Sequence, residues 1–128
     1  MQILYIAGFG VLGVLARYYS GLFVEKVLFP PFPHGTFLVN VAGSFLVGAI
    51  YVLTAERMAV TPELRLGIMV GFLGGFTTFS SYCLEAIKLL EAAEYFYAAL
   101  YFGLSPVLGV FAAFGGIFLA RKLLDVAL

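Results

Sequence analysis

Residues 71–85 read Gly71-Phe72-Leu73-Gly74-Gly75-Phe76-Thr77-Thr78-Phe79-Ser80-Ser81-Tyr82-Cys83-Leu84-Glu85. The stretch lies inside an apolar segment, about Leu64 to Leu90, which is long enough to cross a bilayer. Yet it carries a Gly-Gly pair, two threonines, two serines and an acid. Lipid offers nothing to a freed backbone group, so irregular or polar sequence at membrane depth must be buried in protein or line a water path. The core Gly74-Gly75-Phe76-Thr77-Thr78 therefore reads as a break in a membrane helix. Breaks of this kind aim bare carbonyl and amide groups at an ion.

Composition supports a membrane reading. Of 128 residues, 63% are hydrophobic, against seven acids and seven bases. Ordinary soluble domains are about half apolar and about a quarter charged, so a bilayer must serve as solvent here. The length suits four spans of about 20 residues with short loops and leaves no room for a separate soluble domain; residues 1–128 form one unit. The single cysteine, Cys83, excludes an internal disulfide. Zero net charge argues against nucleic acid as a partner. No cleavable leader is expected, because the N-terminus runs into an apolar span without a basic region.

Working outward, span three starts after Thr61-Pro62-Glu63, which has an N-cap hydroxyl, proline at the first position and an acid in the first turn. At 27 residues this span exceeds a straight crossing, as an interrupted helix would. Gly67, Gly71 and Gly75 recur at every fourth residue and predict close packing on a neighbour. Beyond the break, Phe79 and Tyr82 share a face, while Thr77, Ser80 or Ser81, and Glu85 form a polar one. Those hydroxyls serve either as a ladder for a small ion or as back-bonds to carbonyls of the preceding turn. Four hydroxyls and an acid within nine residues favour the ladder.

Span two, about Thr36 to Thr54, has Asn40 as its one strongly polar residue. Asn40, Ser44, Val47 or Gly48, and Tyr51 fall on one face. Asn40 is either interhelical glue, worth about 1 kcal/mol, or part of a pore. Span one, about Ile3 to Val24, is punctuated by Gly8, Gly10, Gly13 and Gly21 and holds Arg17 deep inside. Arg17 is costly in lipid and should face the protein interior, water or a carbonyl, unless it snorkels to the nearer surface. Phe29 to Pro33 forms the first loop, since prolines forbid helix there; His34 follows it and receives no role. Glu56 to Glu63 is the second loop and Glu91 to Tyr97 the third. Span four, about Ala98 to Ala120, carries Tyr101 and Ser105 as its polar residues and Pro106 as a candidate kink. Arg121, Lys122 and Asp125 are expected in water.

Four spans place both termini on one side. That side, with the second loop, holds Arg57, Arg65, Arg121 and Lys122, against Lys26 and Lys88 opposite. This is a weak positive-inside bias, so the chain can insert either way up. Four short helices also enclose little by themselves. The expectation is a two-fold homodimer, and an antiparallel pair would use both insertion directions.

These residues resemble the small bacterial fluoride channels, the Fluc or CrcB-type fluoride exporters. The markers are Gly10-x-x-Gly13-x-x-x-Arg17, Gly35-Thr36 through Asn40, and Gly74-Gly75-Phe76-Thr77-Thr78-Phe79-Ser80 followed by Glu85. The resemblance implies an all-α, dual-topology, antiparallel homodimer of four-span subunits in the bacterial inner membrane. It further implies two narrow pores through which fluoride leaves the cell passively. It implies a structural Na+ held by the backbone carbonyls of Gly74 and Thr77. On the same basis Asn40 and Phe79 line the anion path, with Ser80, Ser81, Glu85, Tyr101 and Ser105 completing it. Tyr82 stands where the family usually has a second pore phenylalanine, and Gly109 and Ala113 stand where span four usually offers hydroxyls.

The residue types suit fluoride. Amide donors on Asn40 can replace part of its water shell. An aromatic edge, as on Phe79, attracts an anion without a full charge, and conduction needs binding weak enough to release. A small dual-topology, proton-coupled multidrug-type transporter is the rival. It needs a carboxylate at mid-membrane in span one, where this chain has Arg17, with Glu25 only near the end. An enzyme is not expected: the sequence shows no metal cluster and no nucleophile–base pair.

Overall fold

The computed structural model describes residues 1–127 and is all helical. Four helical segments are long and apolar enough to cross a membrane: Gln2–Val27, His34–Glu56, Pro62–Glu91 and Tyr95–Asp125. The first is one helix, α1 (Gln2–Val27). The second is α2 (His34–Tyr51), continued by a π-helical turn, Val52–Glu56. The third runs through α3 (Pro62–Leu66), a π-helical turn (Gly67–Phe72), α4 (Leu73–Phe76) and α5 (Phe79–Glu91). The last is α6 (Tyr95–Ala127), which continues through Pro106.

The predicted start of span three holds. Thr61 accepts a hydrogen bond from the Leu64 amide at 3.3 Å, and Pro62 occupies the first turn. Several boundaries move: the first helix runs to Val27 rather than Val24, and the second loop loses Glu56, Pro62 and Glu63 to helix. Helix α2 begins at His34, two residues before the expected Thr36. Arg121, Lys122 and Asp125 are exposed, as expected, but still helical. The third loop shrinks from Glu91–Tyr97 to three residues, Ala92 to Glu94. Here Glu94 N–H bonds the Leu89 carbonyl and Ala93 N–H the Leu90 carbonyl. With Ala93 at φ 59°, this is a Schellman closure, and it turns the chain too sharply for a longer loop. Glycine is the usual residue at that position, since an L side chain is strained there. Ala93→Gly is expected to raise unfolding stability by about 1 kcal/mol, read as a higher melting temperature in detergent.

Glycines set the helix spacing. A Cβ on Gly71 would lie 2.6 Å from the Ile6 carbonyl oxygen, and one on Gly75 would lie 2.9 Å from that of Gly10. A Cβ on Gly67 would lie 2.7 Å from the Phe9 ring and 3.3 Å from Tyr5 Cβ. The every-fourth-residue stripe therefore seats the third span on α1, as predicted. Gly48 and Gly116 do the same between α2 and α6. Among the described residues a Cβ on Gly8 would meet nothing within 4 Å.

The largest fully buried side chains are Tyr101 and Val52. A small core gathers Phe32, Ala86, Leu89, Ala98 and Tyr101. Phe32 belongs to the first loop, yet it folds back edge-on over Tyr101, centroids 5.4 Å apart. At the opposite end Arg57 pairs with Asp125, and Arg121 with Glu56. These pairs tie the second loop to the end of α6, so both lie at one end of the bundle.

Candidate functional site

The third span breaks at Thr77 and Thr78. Thr77 has φ −93°, ψ 155° and Thr78 φ −147°, ψ 120°, both extended. The expected break is present, but its position needs correction within the Gly-Gly-Phe-Thr-Thr core. Gly74 and Gly75 stay helical in α4. Gly75 supplies close packing, while the β-branched threonines, suited to extended backbone, carry the irregularity.

The hydrogen bonds of this break can be followed one by one. In an unbroken helix the Thr78 amide would go to the Gly74 carbonyl. Here it donates instead to Asn40 Oδ1 at 2.8 Å, while Asn40 Nδ2 donates to the Thr78 carbonyl at 2.9 Å. The side-chain amide of Asn40 thus pairs with both backbone groups of one residue, as a neighbouring strand would. The Ser81 amide, owed to the Thr77 carbonyl, goes to Thr78 Oγ1 at 3.3 Å. The Gly74 and Thr77 carbonyls lose their helical donors to Asn40 and to the Thr78 cap, and the Phe76 carbonyl loses its own because Ser80 lies in the first turn of α5. The Gly75 carbonyl is met by Arg17 Nε at 3.0 Å. So Arg17 turns inward to a carbonyl rather than to the surface.

Hydroxyls divide between the two uses open to them. Thr77 Oγ1 bonds back to the Leu73 carbonyl at 3.0 Å, and Ser44 Oγ to the Asn40 carbonyl at 2.8 Å. Those two are occupied locally. Thr78 Oγ1 donates to Ser81 Oγ at 3.1 Å, with Ser80 Oγ 3.5 Å away. Glu85 accepts from Thr36 Oγ1 at 2.6 Å. Thr36 received no separate role in the sequence, although its place one turn before Asn40 on α2 puts both on one face. Buried Tyr101 Oη and Ser105 Oγ, one turn apart on α6, have no hydrogen-bond partner among the described residues.

Two hollows flank the break. One, about 340 Å³, is lined by Asn40, Ser44, Val47, Met69, Gly74, Thr77, Thr78 and Phe79 among others. The other, about 180 Å³, includes Arg17, Glu25, Gly35, Thr36 and Thr78. Thr78 borders both. From the break an aromatic series leads toward the first loop. Ring centroids lie 5.7 Å apart for Phe79–Tyr82, 5.0 Å for Tyr82–Tyr101 and 5.4 Å for Tyr101–Phe32. The Tyr82 hydroxyl donates to the Phe102 carbonyl at 2.8 Å. Phe79 is 76% exposed in the single chain, and Ser80 and Gly74 beside it are exposed too. No cluster of three or more His, Cys, Asp or Glu side chains suited to a metal occurs among the described residues. A cation here would rely on backbone oxygens.

Known proteins resemble this chain at the sequence level. The family described as CrcB-like protein, Camphor Resistance (CrcB), matches residues 4–117. A protein of Geobacter sulfurreducens named fluoride-specific ion channel FluC is 45% identical over 121 residues, 94% of this chain and 98% of its own. The protein of that name from Agrobacterium fabrum is 40% identical over 123 residues, 96% of this chain and 98% of its own. One from Geotalea uraniireducens is 47% identical over 92 residues, 72% of this chain and 74% of its own. With four apolar spans, a break tied by Asn40 and a match along most of its length, the chain is a multi-pass membrane protein belonging to the CrcB family.

Proposed function

We propose that this protein is a passive, fluoride-selective channel that acts as an antiparallel pair of identical chains. The observation that carries the reading is the pair of buried hydroxyls, Tyr101 and Ser105, which make no well-formed hydrogen bond among the described residues. A buried donor without a partner is costly, so these two await an acceptor, and a small anion is one. Asn40 adds to the supply: its Nδ2 makes one bond within the chain, to the Thr78 carbonyl, and carries two protons. Phe79, Tyr82 and Tyr101 supply ring edges between these donors. The name shared by the relatives, fluoride-specific ion channel, makes fluoride the expected ion.

The exposed face of the break supports the pairing. Gly74 and Ser80 would meet lipid in a lone chain, and lipid satisfies no polar group. A second copy, related by a two-fold axis in the membrane plane, would set break against break. The Gly74 and Thr77 carbonyls, two of the four that lose their helical donors at the break, are the pair the family resemblance assigns to the ion, and from two chains they would converge as four oxygens. Hard cations take oxygen ligands, so the residues present fit the Na+ expected of the family. When bound, that ion would supply fixed positive potential and hold the broken backbone. Arg17 has a separate task, closing the Gly75 carbonyl.

The test is efflux from liposomes loaded with potassium fluoride or potassium chloride, with a potassium ionophore balancing charge. Fluoride should leave without a proton gradient, and chloride should stay. Fluoride loss no faster than from empty liposomes overturns the reading, and so does equal loss of chloride. Efflux that requires a proton gradient would favour a coupled transporter.

A further inference from the structure

Pro106 lies inside α6. Proline has no N–H, so the carbonyl four residues earlier, that of Phe102, loses its helical donor and is pushed aside by the ring. At membrane depth an acceptor in that state needs another partner. Tyr82, on α5, provides it: its hydroxyl donates to the Phe102 oxygen at 2.8 Å. The same ring sits between Phe79 and Tyr101, with centroids 5.7 and 5.0 Å away.

We propose that Tyr82 is a positioning residue whose hydroxyl is committed to the acceptor that Pro106 creates. The bond fixes the ring between Phe79 and Tyr101 and holds the phenol's polar end away from the anion path. Tyr82 then offers the path an aromatic surface and no competing donor. A free hydroxyl at that point would hold fluoride longer and slow its release. This deepens the channel reading and rests on it.

The test is a two-by-two comparison of native protein, Tyr82→Phe, Pro106→Ala and the double variant. Pro106→Ala restores an amide to position 106, which recaptures the Phe102 carbonyl and releases the phenol. Tyr82→Phe should lower the melting temperature by about 4 °C in the native background, as loss of one hydrogen bond does. In the Pro106→Ala background the same change should cost nothing measurable. Pro106→Ala alone should slow fluoride efflux about fivefold, and adding Tyr82→Phe should restore it. Pro106→Leu replaces Pro106→Ala if the latter gives poor protein. An equal loss of melting temperature in both backgrounds overturns the proposal, as does slowed efflux that Tyr82→Phe fails to rescue. If native protein passes no fluoride at all, the channel reading falls, while the melting comparison still decides the Tyr82–Phe102 bond.

Discussion

Asn40→Ala is expected to cut fluoride efflux about a hundredfold while leaving a folded protein. The side-chain amide of Asn40 holds both polar groups of Thr78, accepting from its N–H at 2.8 Å and donating to its carbonyl at 2.9 Å. Alanine leaves the Thr78 N–H bare at membrane depth and takes one donor from its carbonyl, which keeps the helical bond it accepts as the N-cap of α5. Each unmet buried group costs about 1–3 kcal/mol. The chain has a way out: Thr78 N–H can return to the Gly74 carbonyl if Thr77 and Thr78 become helical. A penalty of about 3 kcal/mol on the broken form shifts the balance toward the closed helix by about a hundredfold. Closing the helix also withdraws the Gly74 carbonyl from any cation. Asn40→Ala should therefore lose efflux, and with it any response to sodium, with helical content by circular dichroism unchanged or slightly raised. Efflux within about threefold of native would mean that Thr78 is held open by something other than Asn40.

That bond also shows where sequence reading stopped. A Gly-Gly-x-Thr-Thr run inside an apolar span announces an interruption, because no such span needs four hydroxyls for packing. What the letters do not reveal is which residue interrupts. Glycine permits many conformations and also permits close approach, and here Gly75 does the second, against Gly10 and Val14. The choice was made by α1, a partner 58 or more residues away, and by Asn40 on α2. Asn40 was read as either glue or pore; within the chain it ties α2 to the break through Thr78, and its two-proton nitrogen makes one bond there. The four spans were legible because hydropathy and length alone decide them. The π-helical turns at Val52–Glu56 and Gly67–Phe72 were not. They depend on how neighbouring backbones interlock, which no local pattern encodes. Thr36 was overlooked because its acceptor, Glu85, lies 49 residues away. The burial of Phe32 over Tyr101 was hidden by a proline-rich loop that looks solvated.

The second large effect concerns the contact that fixes α6, and with it Tyr101 and Ser105. A Cβ on Gly48 would run into the Ala113 carbonyl, and one on Gly116 into the Phe45 carbonyl. Both obstacles are backbone, so no side-chain rotation relieves them. The helices must separate, and dispersion contacts along the whole α2–α6 seam weaken together. Gly48→Ala is expected to destabilise by about 3 kcal/mol or more, a large share of a total of about 5–15 kcal/mol. The melting temperature should fall by about 10 °C in detergent. Gly8→Ala is the control: a methyl there meets nothing within 4 Å among the described residues, and alanine favours helix over glycine, so no loss is expected. Gly48 and Gly116 press on the same seam from opposite sides. Once one substitution has pushed the helices apart, the second finds room already made. The double variant should therefore lose much less than the sum of the two single losses. Strict additivity would mean that each methyl is accommodated locally and that α6 does not move as a body. A Gly48→Ala protein as stable as the native one would remove the close α2–α6 approach altogether, and with it the placement of the two unpartnered hydroxyls.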